Sequence, residues 1–600
     1  MCPFGQERIY GFMNIVDTFK KIFFPIEEPS HDFSLPANDD LARNFDTSKE
    51  NTSQSSSNFS GGDNTNNTNT ISDEFSDVKE IFPSIDVNIE YIKVKYNLLI
   101  NSDIVLREFI LTARNKQYRA FLLFIDGMTD MDLVNNYVLK PLMLKNSANS
   151  FDGNQNQVVS EAVTNNITVR KVKKFNIKEY ILNCLLPQNN VKPQKEFKEI
   201  FSSVNSGNCA LFVDTLDIAF DVDVKGFQTR SINKPENEVV LRGPQEAFVE
   251  NLRTNTSLIR RIINNENLIM ENIKVGKVSK TVCSVCYMQN IANDDLVAEV
   301  KYRLNNIDID YLVSSGELEQ LLEDNSKYSL PQIISTERPD KASTYLLEGR
   351  VVILVNGSPY ALIVPAVFVD FLESSEDKNI KFQFANLLKV IRIASFLITL
   401  LLPGIYVAIT SFHLEFIPTE LLFAIVASRA SVPFSIIFEI IIMELSFELI
   451  REAGLRVPSP IGPTIGIIGA LIIGQSAVEA GIVSPILIII VAITGITSFA
   501  IPDYYLAFHC RIWRFVYIIF GYLAGLLGIA FASFIHILIA TKVQSFGISY
   551  LEPYIPSKGR LSNGLFNKPI WKREKREDFL DTKKIDKQEH ISMKWKYENK

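Results

Sequence analysis

Histidine, tryptophan and cysteine are scarce in this chain, at five, three and six of 600 residues. The cysteines, Cys2, Cys184, Cys209, Cys283, Cys286 and Cys510, are scattered, which excludes a disulfide scaffold and gives no reason to place the chain in an oxidising compartment. Cys283 and Cys286 make half of a zinc or redox signature. No second pair follows and no histidine lies near them in sequence, so buried or idle thiols are expected and no metal is assigned. A glycine-rich cradle for phosphate is also missing, since Arg242-Gly243-Pro244 is not one. With no nucleophile–base pair in view, neither catalysis nor a cofactor is expected. The net charge of −7 averages regions of opposite character and does not suggest nucleic acid.

The most informative absence is of charge. Residues 393–412 and 480–502 carry no charged side chain, 515–541 has only His536, and 457–478 is uncharged although prolines interrupt its start. Crossing a hydrocarbon core takes about 20 apolar residues in a helix, and soluble core helices rarely stay uncharged that long. An all-α multi-pass transmembrane domain is therefore expected over 386–545.

What precedes it is polar. Phe12, Ile15, Val16, Phe19 and Phe23 recur at helical spacing beside Lys20 and Lys21, which suits a short amphipathic helix on a membrane surface or on its own domain rather than a secretory signal. From about Ser30 to Ser76 there is almost nothing aliphatic to bury, so a disordered linker completes the 1–81 segment. From Phe82 short apolar runs end in Asp or Asn near Gly: 118–126 (YRAFLLFID), 209–214 (CALFVD) and 350–356 (RVVILVN). These read as buried strands closing in turns, with helical spacing between them, notably over 246–263 after Pro244. The expectation is an α/β soluble region of two lobes, 82–195 and 196–385, divided near 187–199.

In the 246–263 segment Glu246 and Glu250 lie early and Arg253, Arg260 and Arg261 late, a layout that complements a helix dipole. Its charged and apolar pattern suits a subunit contact, with Arg242, Arg253, Arg260 and Arg261 as candidate anchors; a solvated amphipathic helix is the plainer reading.

Within the apolar region one segment is unlike the rest. Between 418 and 455, Arg429, Glu439, Glu444, Glu448, Arg451 and Glu452 interrupt an apolar sequence that contains Pro433. Ionisable groups at membrane depth are costly and face a bundle interior or water, and proline breaks the helix, so a discontinuous or re-entrant element near 418–450 is expected. Arg429, Glu439, Glu444 and Glu448 are the candidate pore or gating residues, Arg429 being placed to neutralise an acid across the break. A helix end emerging among headgroups is the alternative. Gly462, Gly466, Ala470 and Gly474, and later Gly521, Gly525 and Gly528, form small-residue stripes that point to close helix packing.

The tail, 546–600, is rich in Lys and Arg and should be cytosolic, as should the amino-terminal region. Both ends inside requires an even number of crossings. Four crossings plus a re-entrant element satisfy this but put Arg511 and Arg514 outside; six crossings are the alternative.

Several stretches together resemble the A subunits of GerA-type spore germination receptors: 242–261 (RGPQEAFVENLRTNTSLIRR), 335–340 (STERPD), 347–362 (LEGRVVILVNGSPYAL), 412–422 (FHLEFIPTELL), 428–434 (SRASVPF) and 451–462 (REAGLRVPSPIG). The resemblance runs from about Leu98 to Pro556. It implies a non-enzymatic protein of the spore inner membrane, acting with a transporter-like B subunit and a lipoprotein C subunit. It further implies assembly of A subunits into a ring, a pentamer, that opens as a nutrient-gated cation channel. Two rivals remain: an accessory ion channel like the related stage V sporulation protein AF, and a secondary transporter, against which stands the lack of a second copy of the 429–448 pattern.

Overall fold

The computed structural model describes residues 79–113, 116–144, 176–226, 234–456, 474–552, 554, 566–589 and 593. The expected amphipathic start, the linker, and Gly462 and Gly466 lie outside the described residues.

The apolar runs become strands. β1 (Ile104–Ala113) and β2 (Lys116–Ile125) form a hairpin that β4 (Cys209–Val213), β5 (Ala219–Val222) and β3 (Val191–Gln194) extend in the order β1-β2-β4-β5-β3, every pairing antiparallel. Side chains alternate across the pleat, so each face feeds a separate core. One holds Leu122, Leu211 and Phe220 against the helical segments 131–144 and 177–185; the other holds Phe121, Leu123 and Phe212 against α1 (Ile85–Lys95) and α2 (Phe197–Asn205). This sheet ends at Val222, so the change of sheet falls later than the expected 195/196 division. The cause is β3, which pairs with β5 at the sheet edge and keeps the following strands in the first lobe.

The second lobe repeats the plan. β6 (Leu268–Val275), β7 (Thr281–Met288), β9 (Val351–Val355), β10 (Ala361–Val364) and β8 (Ile334–Thr336) stand in the order β6-β7-β9-β10-β8, again antiparallel. One face packs on α4 (Asp294–Asn306) and α5 (Ser315–Leu322), the other on α3 (Leu252–Ile262) and α6 (Pro339–Glu348). Cys283 and Cys286, three apart on β7, belong to opposite faces, and burial pushes each thiol up to about 12. They cannot share a metal ion.

Helix α3 starts later than its spacing suggested. Asn251 caps it, its side chain accepting from the amides of Arg253 at 2.9 Å and Thr254 at 3.2 Å, so Glu246 and Glu250 lie ahead of the helix and only the late arginines meet its dipole. Arg260 is 1 % exposed and donates to both oxygens of Asp103, Nε to Oδ2 at 2.7 Å and Nη2 to Oδ1 at 2.8 Å, and to Asn101 Oδ1 at 3.1 Å. Asp103 precedes β1, so this pair clamps one lobe to the other. Arg253 adds an ion pair to Asp126 at 2.9 Å and Arg261 pairs with Glu246. Arg260 is thus not a subunit anchor, because a guanidinium sealed inside the chain has no surface to offer; among the four candidates Arg242 is exposed.

The helical region follows. α7 (Phe382–Phe412), α8 (Thr419–Arg429), α9 (Ile436–Arg456), α10 (Pro485–Phe499) and α11 (Tyr504–Lys542) are apolar, and α7 and α11 are long and apolar enough to cross a membrane. α11 is not one rod. Ala524 and Gly525 leave helical geometry, Gly525 at φ +60°, and the chain turns back. Trp513 and His536 then stack with ring centroids 4.4 Å apart, although 23 residues of straight helix would separate them by about 35 Å. Gly525 is therefore a turn residue first, in the left-handed region that glycine favours. Gly521 does serve close packing: a Cβ there would come within 2.6 Å of the Gly404 carbonyl oxygen in α7. Gly474 does not, since a Cβ would meet Ile488 at an ordinary 3.8 Å.

Contacts fix the helix directions. α7 runs beside the first arm of α11, with Gly404 on Tyr517 and Phe412 on Gly525. α10 runs opposite to α7, with Thr399 on Thr497 at 2.9 Å, and in the same direction as α9, with Ser484 on Glu439 at one end and Gly495 on Phe447 further along. At the base Leu506, Cys510, Ala540 and Val543 join the core of the second lobe with Met270, Leu354 and Tyr345, so lobe and helices share one apolar cluster.

Removing one partner of a buried ion pair costs about 3–5 kcal/mol. Arg260→Met alone should therefore lower the thermal unfolding midpoint of the detergent-solubilised chain, and adding Asp103→Leu should recover most of the loss. An unchanged midpoint with a dispersed oligomer for Arg260→Glu would restore the subunit-contact reading.

Candidate functional site

The charges of the 418–455 segment meet those of α11 inside the apolar helices. Pro433 lies in the non-helical stretch between α8 and α9, as a proline without an amide hydrogen requires, and across this break Arg429 Nε faces Glu439 Oε1 at 3.5 Å. The second oxygen of Glu439 accepts the backbone N–H of Ser484 at 3.2 Å, just before α10. Arg429 thus neutralises an acid across the break, as its position suggested.

Five and nine positions beyond Glu439, α9 presents Glu444 and Glu448 to α11. Arg514 Nη2 lies 2.9 Å from Glu444 Oε2 and 3.0 Å from Glu448 Oε1, Arg511 Nη1 lies 3.5 Å from Glu448 Oε2, and Arg451 pairs with Glu448 along the helix. Glu444 and Arg514 are 0 % and 1 % exposed, so neither reaches water through this chain's surface. Three arginines serve two glutamates here, 3 − 2 = +1, and the cluster is not acidic. Both glutamates point at arginines of their own subunit, Glu444 sealed and Glu448 25% exposed. A free buried carboxylate in an apolar bundle would be prohibitively costly, which is the physical reason for the pairing.

The network opens toward the soluble side. A cavity of about 790 Å³ lies between the second lobe and the helix ends, lined among others by Glu238, Glu319, Lys341, Arg451, Asp503 and Arg511. Arg451 and Arg511 belong both to this cavity and to the Glu448 cluster. Burial, with Glu323 and Asp503 adding repulsion, pushes the Glu319 carboxyl up to about 8. A second polar chain crosses the hairpin of α11: Ser329 Oγ meets His509 Nδ1 at 2.7 Å, His509 Nε2 meets His536 Nε2 at 2.9 Å, and His536 Nδ1 meets the Tyr517 hydroxyl at 3.3 Å.

Reading the segment 418–455 alone missed the partners Arg511 and Arg514. Their signal was present, as two cations three residues apart in an otherwise apolar helix, opposite in sign to Glu444 and Glu448. Arg338 and Arg350, both fully buried, were also missed. Arg338 holds Asp340 and the carbonyls of Glu238 and Pro244; Arg350 holds Asp370, the Pro365 carbonyl and Glu577. For Arg350, an arginine at the head of an otherwise apolar run, RVVILV, was the available clue.

Comparison with known proteins places these features. Residues 90–579 match the model of the Bacillus/Clostridium GerA spore germination protein family. The chain is 38% identical to spore germination protein KA of Bacillus subtilis over 83% of this chain and 86% of that protein, and 39% identical to spore germination protein B1 of the same organism over 74% and 87%. Among solved structures, the N-terminal domain of the A subunit of the Bacillus megaterium spore germinant receptor GerK3 shares 32% identity, covering 49% of this chain and 98% of that one with a TM-score of 0.35.

Two measurements test the site. Arg514→Gln leaves Glu444 without a cation and should destabilise the detergent-solubilised chain more than Glu444→Gln with Arg514→Gln together; equal losses would show that the pair is not coupled. Glu319, raised from 4.5 to about 8, contributes stability that is full below 4.5 and is lost as pH rises through 8. Glu319→Gln should therefore raise the unfolding midpoint by an amount that grows from pH 5 to pH 9, and a pH-independent difference would refute the buried-acid reading.

Proposed function

Since the chain belongs to the GerA family of spore germination proteins, we propose that it is the A subunit of a spore germinant receptor and that its helical region, with further copies of itself, forms a nutrient-gated cation channel. In this reading it acts without bond-making chemistry, in the spore inner membrane, beside a transporter-like B subunit and a lipoprotein C subunit, and a ring of five copies encloses the path.

The membrane arrangement follows from the helix directions. α7 leads away from the lobes, α9 and α10 each run back toward them, and the two arms of α11 go out and back. With the uncharged stretch 457–478 taken as an outward crossing, this order supports six crossings, the alternative to four plus a re-entrant element. At 1.5 Å per residue α9 and the arms 504–523 and 526–542 are about 31, 30 and 26 Å long, close to the ~30 Å hydrocarbon core. This order also removes the conflict over Arg511 and Arg514. Both lie in the lobe-side half of α11 with Arg451 and the basic tail, so positive charge gathers on one side, the cytosolic one. The tail supports it directly: Lys583 pairs with Asp294 of the second lobe at 2.6 Å, so tail and lobes share a side.

The observation that carries the channel reading is the polar surface of the short helical stretch after 473. Gln475, Ser476 and Glu479 are exposed there, with Gln475 Nε2 donating to Glu479 Oε1 at 3.0 Å, between two long uncharged stretches. In a ring of identical subunits Glu479 becomes a ring of acids at the outer mouth, which attracts cations and repels anions. The neutralised Glu439, Glu444 and Glu448 then act on gating, by holding α9 to α8 and α11, rather than as lumen lining.

Spores carrying Glu479→Gln should release monovalent cations more slowly than wild type when exposed to yeast extract, and Glu479→Lys should suppress release, with protein level unchanged. Single cysteines at Lys277, Glu415 and Lys584 report topology through an impermeant thiol reagent on intact vegetative cells producing the receptor. Only the Glu415 position should label from outside. Wild-type release by both Glu479 variants would remove that residue from the path, and outside labelling at Lys277 or Lys584 would overturn the crossings.

A further inference from the structure

The carboxyl-terminal segment touches two parts of the molecule that differ in character. Its first residues hold the start of α7. Asn567 N–H donates to Asn386 Oδ1 at 2.7 Å, the Asn386 amide donates back to the Asn567 carbonyl at 3.2 Å, and Trp571 packs edge-on against Phe382 at 6.3 Å. Arg573 adds positive charge near Glu373, which pairs with Lys389 of α7 at 2.6 Å.

Its later residues hold the second lobe. Arg350, at the head of β9 and fully buried, donates to both oxygens of Asp370 and to Glu577 Oε2 at 3.0 Å, with its guanidinium 4.6 Å from the Tyr345 ring centre. Arg576 reaches past the end of α6 to donate to the Leu347 carbonyl at 2.8 Å. At Gly349, φ +102°, the approach is close enough that a Cβ would come within 2.5 Å of Thr582. Leu580 is fully buried against Val367 and Ile548.

We propose that residues 566–589 form a strap that couples the second lobe to α7, so that a change in the lobe reaches the first apolar helix through it, and undocking the strap loosens the first turns of that helix. The seating is specific, since one buried cation is divided between a lobe carboxylate and a strap carboxylate, and a glycine is needed where the backbones meet. It is also light. Leu580 is the strap's one fully buried apolar side chain among the described residues, and the outer pairs, Lys583 with Asp294 and Lys587 with Glu348, include exposed lysines that bind weakly in water. A segment of few apolar contacts and many polar ones belongs to the low-stability end of a structure, where opening precedes global unfolding. The inference concerns mechanics within the chain and does not depend on whether the helices conduct ions.

Hydrogen exchange on the full chain in detergent tests it. Glu577→Ala with Leu580→Asp should release residues 566–589 and also speed exchange of amides in 382–392 on the order of tenfold, while the first-lobe strands exchange as in wild type. A second variant avoids destabilisation: Asp294→Cys with Lys583→Cys, joined by a short bismaleimide, should slow exchange in 382–392 relative to the same protein before cross-linking. Release or locking of the strap with 382–392 exchanging at the wild-type rate in both experiments would overturn the coupling.

Discussion

A guanidinium sealed from water must be given carboxylates or carbonyls, and much of this molecule is arranged to meet that demand. Among the described residues the four largest of the fully buried side chains are arginines: Arg260, Arg338, Arg350 and Arg514. Each stands where two parts of the chain join. Arg260 ties the first lobe to the second through Asp103, Arg338 fixes the 238–244 loop to the start of α6, Arg350 gathers the second lobe and the strap, and Arg514 joins α9 to α11. The forked donors of arginine suit this use better than a lysine's point charge, because one side chain can satisfy two acceptors from different elements. Such pairs add little net stability over an apolar replacement, but a wrong register leaves a charge buried and alone, so they specify one arrangement of the parts.

The second consequence is mechanical. The second lobe does not hang from the helices by a linker; its core contains Leu506, Cys510, Ala540 and Val543 from the base of the hairpin. Close-packed interiors transmit displacement rather than absorb it. At the other end of the helices Gly404 and Gly521 let α7 and α11 touch backbone to backbone, which makes these two the stiff spine of the apolar region. The second lobe and the helices therefore share one apolar core and are bridged again by residues 566–589.

The charge network changes how the acids of the helical region are understood. Counted alone, Glu439, Glu444 and Glu448 describe an acidic path. Counted with Arg429, Arg451, Arg511 and Arg514 they are paired acids that tie α9 to α8 and to α11.

From residues alone one could read the apolar helices, the antecedent strands at 118–126, 209–214 and 350–356, the break at Pro433 and the pairing of Arg429 with one of the acids beyond it, and the motifs placed the chain in its family. All of these depend on neighbours in sequence or on composition, which local periodicity and the cost of buried charge determine. What sequence could not decide was which distant groups meet. The turn at Gly525 looked like one more small residue in a packing stripe, because a helix and a helical hairpin share the same apolar composition. Arg260 looked like a surface anchor, because an amphipathic charge pattern does not say whether water or Asp103, 157 residues away, waits on its polar face. Partner choice over such distances is made by the packing of the sheets and helices, and so only the tertiary structure could assign it.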